Sequence, residues 1–385
     1  MHHMSRPLAR PALRLLLIAA ALILLTGCSG RLTTTNWAGL SSDGRLVYLA
    51  FGPQVLAYDP ATQTQAWLHP QETSTAAFFA APSAADGRVV FGDYGRAGGL
   101  FSPRVTVSVY GLQENESGGA SQLWVNTTDA RDKIVAPPLQ VDDQVFVGTA
   151  DNHVLALDAT NGSLQWDYET DHAIWGRPAY RDGTLYVASM DWSVYALDAA
   201  SGELQWSTPL GGALPSGPVL GDDLVYVSSF DGNVHALDIA TGEKRWAAPG
   251  AGDWVWGAPS VVDGTVYFGD IAGNLFAVDA QTGEQQWTKA TQAAVQTSPV
   301  VVGDTLYIAS EIAGETPTGA LTAYSTSDGQ QLWTVPTSTP LYATPVLVDD
   351  TLVVATQDAN ALLIGLDLTN NGQERWRYAL PQTSD

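Results

Sequence analysis

Gly221–Trp246, GDDLVYVSSFDGNVHALDIATGEKRW, recurs in near-copies along most of the chain, and its reading decides the fold. Leu224–Val227 is a β-branched and aromatic run, Asp231-Gly232-Asn233 is a turn, and Val234–Asp238 is a second alternating run. Thr241-Gly242 then turns tightly into a third strand that ends on Trp246. Upstream, Ser216–Leu220 reads as a short strand opened by Pro218, where a missing N–H costs least. The unit is therefore an antiparallel meander of four strands, A to D.

The copies are explicit. VFVGTADNHVLALDATNGSLQW ends at Trp166, LYVASMDWSVYALDAASGELQW at Trp206 and VYFGDIAGNLFAVDAQTGEQQW at Trp287. Looser copies end at Trp67, Trp124, Trp333 and Trp376. From Trp124 onward the closing tryptophans stand 42, 40, 40, 41, 46 and 43 residues apart, after a first step of 57. A period of about 40 residues built from four strands implies an all-β, eight-bladed β-propeller, because each blade can bury its faces only against neighbours. Closing the ring removes the two exposed end faces of a linear array.

The pattern ALD-x-x-T/S-G-x-x-x-W, carried by ALDATNGSLQW, ALDAASGELQW, ALDIATGEKRW and AVDAQTGEQQW, resembles the tryptophan-docking motif of PQQ-like (quinoprotein-type) propellers. That family includes quinoprotein dehydrogenases and BamB-like outer-membrane assembly lipoproteins. The resemblance spans roughly Trp37 to Trp376. It implies a docking role for Trp67, Trp124, Trp166, Trp206, Trp246, Trp287, Trp333 and Trp376.

At the start of the chain, Arg6, Arg10 and Arg14 precede the apolar run Leu15–Leu25. Eleven residues are too few to cross a bilayer about 30 Å thick as a helix, but they suit a signal-peptide core. Leu25-Thr26-Gly27-Cys28 looks like a bacterial lipobox, with the chain's one cysteine where acylation, palmitate included, would follow cleavage. The alternative is a secretory signal followed by a free cysteine. The expected organisation is a signal peptide over 1–27, a lipidated tether over 28–36, a propeller over 37–380 and a tail over 381–385. Ser29 after the anchor fits outer-membrane sorting in a Gram-negative cell, on the periplasmic face; otherwise the anchor would hold the outer face of the cell membrane.

Removing residues 1–27 takes away three arginines and no acids, so the formal charge moves from −23 to −26. Such acidity argues against nucleic acid or an anionic bilayer as the main partner. Asp-Gly and Asp-Asp pairs at 43, 86, 142, 182, 222, 263 and 349 sit at equivalent A–B turns, where turn geometry accounts for them without calcium. His153, His172 and His235 fall on different elements, so no metal site is expected from them. Blades two and seven are the irregular ones. Gly92–Ser102 and Glu311–Gly319 enlarge their B–C loops, and Leu112–Ala120 enlarges the C–D loop of blade two.

Five tryptophans do not close blades: Trp37, Trp175, Trp192, Trp254 and Trp256. All five fall at D–A or B–C connections, which share one face of a propeller. Three residues ahead of the strand-A prolines stand Phe79, Val135, Trp175, Pro215, Trp256, Gln296 and Tyr342, with Trp37 in the same slot of blade one. These eight positions should ring the mouth of the central channel, with Leu100 and Phe101 on an enlarged loop beside it. The aromatics either plug the mouth by packing together or form a recognition platform.

Quinoprotein dehydrogenases, which the resemblance includes, commonly carry a vicinal disulfide, which Cys28 alone cannot make, and long cofactor-chamber insertions, which most blades here are too short to hold. Asp191 and Asp253, beside Trp192 and Trp254, are the acids nearest the mouth. No Ser/His/Asp order, phosphate-binding glycine loop or metal-spaced Cys/His set is present. The expectation is a non-catalytic, lipid-anchored envelope scaffold without a cofactor, monomeric by itself, that binds an envelope or outer-membrane protein such as a β-barrel assembly subunit. The alternative is a surface receptor that takes a sugar or a quinone cofactor at the aromatic mouth.

Overall fold

The computed structural model describes residues 38–72, 75–95, 106–115, 118–250, 252–291 and 293–380. The signal segment, Cys28 and its tether, Trp37, Leu100, Phe101 and the tail 381–385 lie outside the described residues. In blade five the strands are Val219–Leu220, Leu224–Ser228, Asn233–Asp238 and Lys244–Pro249, hydrogen-bonded in that order. Seven other sheets repeat the same consecutive order, so the chain is an eight-bladed β-propeller of four-stranded antiparallel blades. The blades span residues 39–69, 83–126, 139–169, 179–209, 219–249, 260–290, 300–337 and 346–378.

The core lies between blades rather than inside one layer. Eight hydrophobic clusters each join two neighbouring blades, as where Val90, Val109 and Trp124 meet Val145, Val147 and Leu155. The first and last blades each keep all four of their own strands, so among the described residues no exchanged strand fastens the ring. Packing closes it instead. Leu40, Leu49 and Tyr58 of blade one share a cluster with Val353, Leu363 and Trp376 of blade eight. Tyr58 lies 4.8 Å from the Trp376 ring and 4.9 Å from Tyr378, whose hydroxyl donates to Gln65 Oε1 at 2.5 Å.

The closing tryptophans dock on the following blade. Trp124 Nε1 donates to Ala159 O at 2.9 Å, Trp166 to Ala199 O at 3.0 Å, Trp246 to Ala280 O at 3.0 Å and Trp287 to Thr326 O at 2.8 Å. Each indole also covers the next blade's turn glycine. A Cβ on Gly202 would sit 2.7 Å from the Trp166 ring, and one on Gly242 2.5 Å from Trp206. These glycines also have positive φ, +74° and +72°, so the motif needs glycine twice over. Blade two lacks the Thr-Gly turn, and there Trp67 Nε1 donates to the Glu114 carboxylate at 2.8 Å instead.

The aspartate of ALD caps the same turn. Asp238 Oδ1 accepts from the Ala240 and Thr241 amides at 3.1 and 3.0 Å, while Oδ2 takes Arg245 at 2.6 Å. The Arg245 guanidinium and the Thr241 hydroxyl hold the Asp238 carboxyl at about 2. Arg375 and Thr369 do the same for Asp367, also at about 2. At the A–B turns, Asp86, Asp182 and Asp263 have φ of +52°, +49° and +47° and are followed by positive-φ glycines, the type I′ hairpin geometry. The insertion in blade seven is less a loop than an extension of strands. Thr305–Ile312 and Thr318–Ser325 are paired as far as Ile312↔Thr318. In blade two, Leu112–Glu114 and Ala120 likewise belong to strands.

Two stability measurements follow. Gly202→Ala combines left-handed strain with overlap against Trp166 and should cost about 2–5 kcal/mol in urea unfolding. Gly183→Ala has φ of +83° but open space around it, so it should cost only about 1–2 kcal/mol. Equal costs would refute the docking contact. Because the Asp238 and Asp367 carboxyls are more acidic folded than unfolded, their contribution is complete above about pH 4 and is lost as pH falls through about 2. Asp238→Asn should therefore be destabilising at pH 7 and show a smaller further loss between pH 5 and pH 2.5 than the parent protein.

Candidate functional site

The first strands of neighbouring blades lie side by side at the centre, so the segments leading into them border the channel. The proline that opens each strand A is buried in all seven blades that have one, while the residue three before it is partly exposed in six. The exception is Pro215, which is buried. The mouth is thus lopsided rather than an even aromatic ring. Phe79 packs edge-on against Tyr94, 4.6 Å away, and Val135 and Gln296 are aliphatic and amide positions. Gln296 Nε2 donates to Glu311 Oε2 at 3.1 Å, and Glu311 also raises the Tyr342 phenol, after burial as the main cause.

The aromatic mass gathers over blades four to six. Trp175 enters blade four and Trp256 enters blade six, yet their rings lie 6.5 Å apart at 37°. They meet because the intervening slot in blade five holds the small, buried Pro215. Phe230 continues the series, 5.0 Å from Trp256 and 4.9 Å from Trp254, nearly stacked on the latter at 28°. Phe230 escaped the sequence reading, which followed only tryptophans and the slots ahead of the prolines. Its signal was the B–C turn position shared with Ala150, Met190 and Ile271, where a large aromatic stands out.

Trp192 and Trp254 are the solvent-facing members, 55% and 48% exposed. Trp192 also has φ of +77°, in a turn position that is Asn152, Gly232 and Gly273 in blades three, five and six. A bulky side chain is rarely found there, because the left-handed backbone crowds its Cβ. The indole gains too little burial to offset that strain, so its presence is not explained by stability.

The acids beside these tryptophans serve turns. Asp191 accepts from Ser193 N at 2.9 Å, Asp171 N at 3.0 Å and Tyr195 Oη at 2.8 Å. Asp253 accepts from Trp254 N at 2.8 Å. The histidines do not converge either. His153 Nδ1 meets Asp167 at 2.7 Å, His172 Nδ1 accepts from Ala173 N at 2.8 Å, and His235 Nε2 meets Asp231 at 2.9 Å. Among the described residues, no group of three or more His, Cys, Asp or Glu is placed to hold a metal ion.

Repeated four-stranded blades with indole-on-glycine docking define a PQQ-like repeat propeller. The family model described as outer membrane protein assembly factor BamB matches residues 115–175, 171–253 and 231–385, well over half of the sequence, and the chain belongs to that family. Among solved structures, BamB from Moraxella catarrhalis is similar at 19% identity and a TM-score of 0.67, covering 86% of this chain and 94% of that one. The computationally designed Ika8 protein is equally similar in fold, at 18% identity and a TM-score of 0.67, over 90% and 98% of the two chains. No curated protein matches the sequence.

Trp192→Asn should raise the unfolding free energy by about 1 kcal/mol, since asparagine tolerates the left-handed turn and little packing is lost. Urea unfolding measures this directly. A clear loss of stability would mean the indole is held in place for structural reasons.

Proposed function

We propose that this chain is a non-catalytic, lipid-anchored scaffold of the cell envelope that holds a protein partner during outer-membrane protein assembly. Membership of the BamB family supports the assembly role. The lipobox-like Leu25–Cys28 supports an anchor at Cys28, with the propeller on the periplasmic face of the outer membrane. Among the described residues, no helix is long and apolar enough to cross a membrane.

The observation that carries the reading is Trp192, an indole held in solvent on a strained turn, with Trp254 exposed on the same face. Tryptophans dominate binding energy at protein interfaces because they bury about 150–250 Å² with little conformational entropy to lose. The remaining aromatics, Trp175, Trp256 and Phe230, form the half-buried base on which a partner would close.

Cross-linking the intact lipoprotein in its own membranes, with mass spectrometry of the captured chains, tests this. The expected capture is an outer-membrane barrel or a barrel-assembly subunit. The Trp192→Asn/Trp254→Ala double variant should reduce that capture at least about tenfold, as loss of even one interface anchor at about 2 kcal/mol requires. Unchanged capture by the double variant would move the interface off this face. Capture of no such protein by the parent would overturn the scaffold reading.

A further inference from the structure

One charge inside the propeller is left over. The residue immediately before each strand-A proline is solvent-reached in all seven blades, because the proline beside it turns into the interblade packing. In six of them it is uncharged: Ala81, Pro137, Gly217, Ala258, Ser298 and Thr344. In blade four it is Arg177, and it is exposed. The residue after the proline is uncharged throughout, with Leu139, Ala179, Val219 and Val300 among its members.

Arg177 is open to water, yet protein crowds it closely enough that desolvation lowers its guanidinium below the usual arginine range. A side chain in a water-filled channel has both properties. No carboxylate of the described residues bonds to it or offsets its charge. The chain carries 40 acids and 17 basic residues, and Arg245 and Arg375 are held by carboxylates where Arg177 is not.

Trp175 lies two residues ahead of Arg177, across a bend at Gly176, and both side chains reach solvent. Trp256 leans against Trp175 from blade six. Gly176 and Gly217 let the leading segments of blades four and five approach so closely that a Cβ on either would overlap the other's backbone. The base and the wall of this corner therefore sit on tightly packed backbone.

We infer that Arg177, with Trp175 and Trp256 as its wall, is a binding site for a single carboxylate carried on a flat aromatic group. A guanidinium presents two parallel N–H donors to a planar carboxylate, and indole faces receive an aromatic ring. The acidic exterior repels polyanions, so one compact negative charge suits the site better than a phosphate-rich ligand. The inference goes beyond the scaffold reading and does not depend on it.

Isothermal titration of the full chain in detergent, against detergent alone, would use 2-naphthoate and its neutral isostere 2-naphthamide. The acid should bind at least tenfold more tightly than the amide. Arg177→Gln should abolish that preference without changing the thermal unfolding midpoint by more than a few degrees, and Trp175→Ala should weaken both ligands. Equal affinity of acid and amide, no binding of the acid up to millimolar concentration, or a preference that survives in Arg177→Gln would overturn the assignment. A tetrapeptide ending in tyrosine, as free acid and as amide, separates the two sources of such a group. Tighter binding of the free peptide acid than of 2-naphthoate assigns a polypeptide terminus, the reverse assigns a small aromatic acid, and both uphold Arg177 as the anchor. Because the capture variant changes Trp192 and Trp254 and leaves Arg177 in place, this result and the membrane capture can fail independently.

Discussion

Six of the eight blades end on an indole laid over the turn glycine of the next, and the ring depends on that contact. A four-stranded antiparallel sheet of this size has two apolar faces and cannot bury either alone. The docking contact sets how the faces meet. The indole N–H finds a carbonyl in the neighbouring C–D turn, and its ring occupies the space that a Cβ would take at Gly162, Gly202 or Gly242. The same turn is capped by an aspartate that accepts its amides, so one short motif supplies the turn, the dock and the spacing. Where the motif is absent, in blade two, a carboxylate takes over as the acceptor for Trp67.

Closing the ring without exchanging a strand follows from the same economy. Blades one and eight are whole, and their shared core of Tyr58, Trp376 and the surrounding aliphatics is the same kind of interface as the other seven. The seam is ordinary because the repeat is regular enough to return on itself after eight steps.

A structure built from equivalent parts shows its function where the equivalence is broken. Three departures fall within blades four to six. A tryptophan occupies a turn position suited to asparagine or glycine at Trp192, and an arginine occupies a channel position otherwise filled by small residues at Arg177. A proline at Pro215 leaves room for Trp175 and Trp256 to touch across it. None of these improves the packing of its own blade. Together they give one sector of the mouth an apolar face and a single positive charge.

The sequence alone determined the fold, the number of blades, the docking tryptophans and the turn role of the repeated aspartates. These are local features repeated many times, and periodicity makes local features legible. It also placed Trp175, Trp192, Trp254, Trp256, Phe79 and Tyr342 near one face, since strand order fixes which connections share a side. It did not reveal that the mouth is lopsided, that Phe230 completes the aromatic series, or that Arg177 stands unpaired. Those depend on distances between blades and on which side chains find partners across the channel. Contacts between blades bring together residues 24 to 81 positions apart, so only the tertiary structure could decide them.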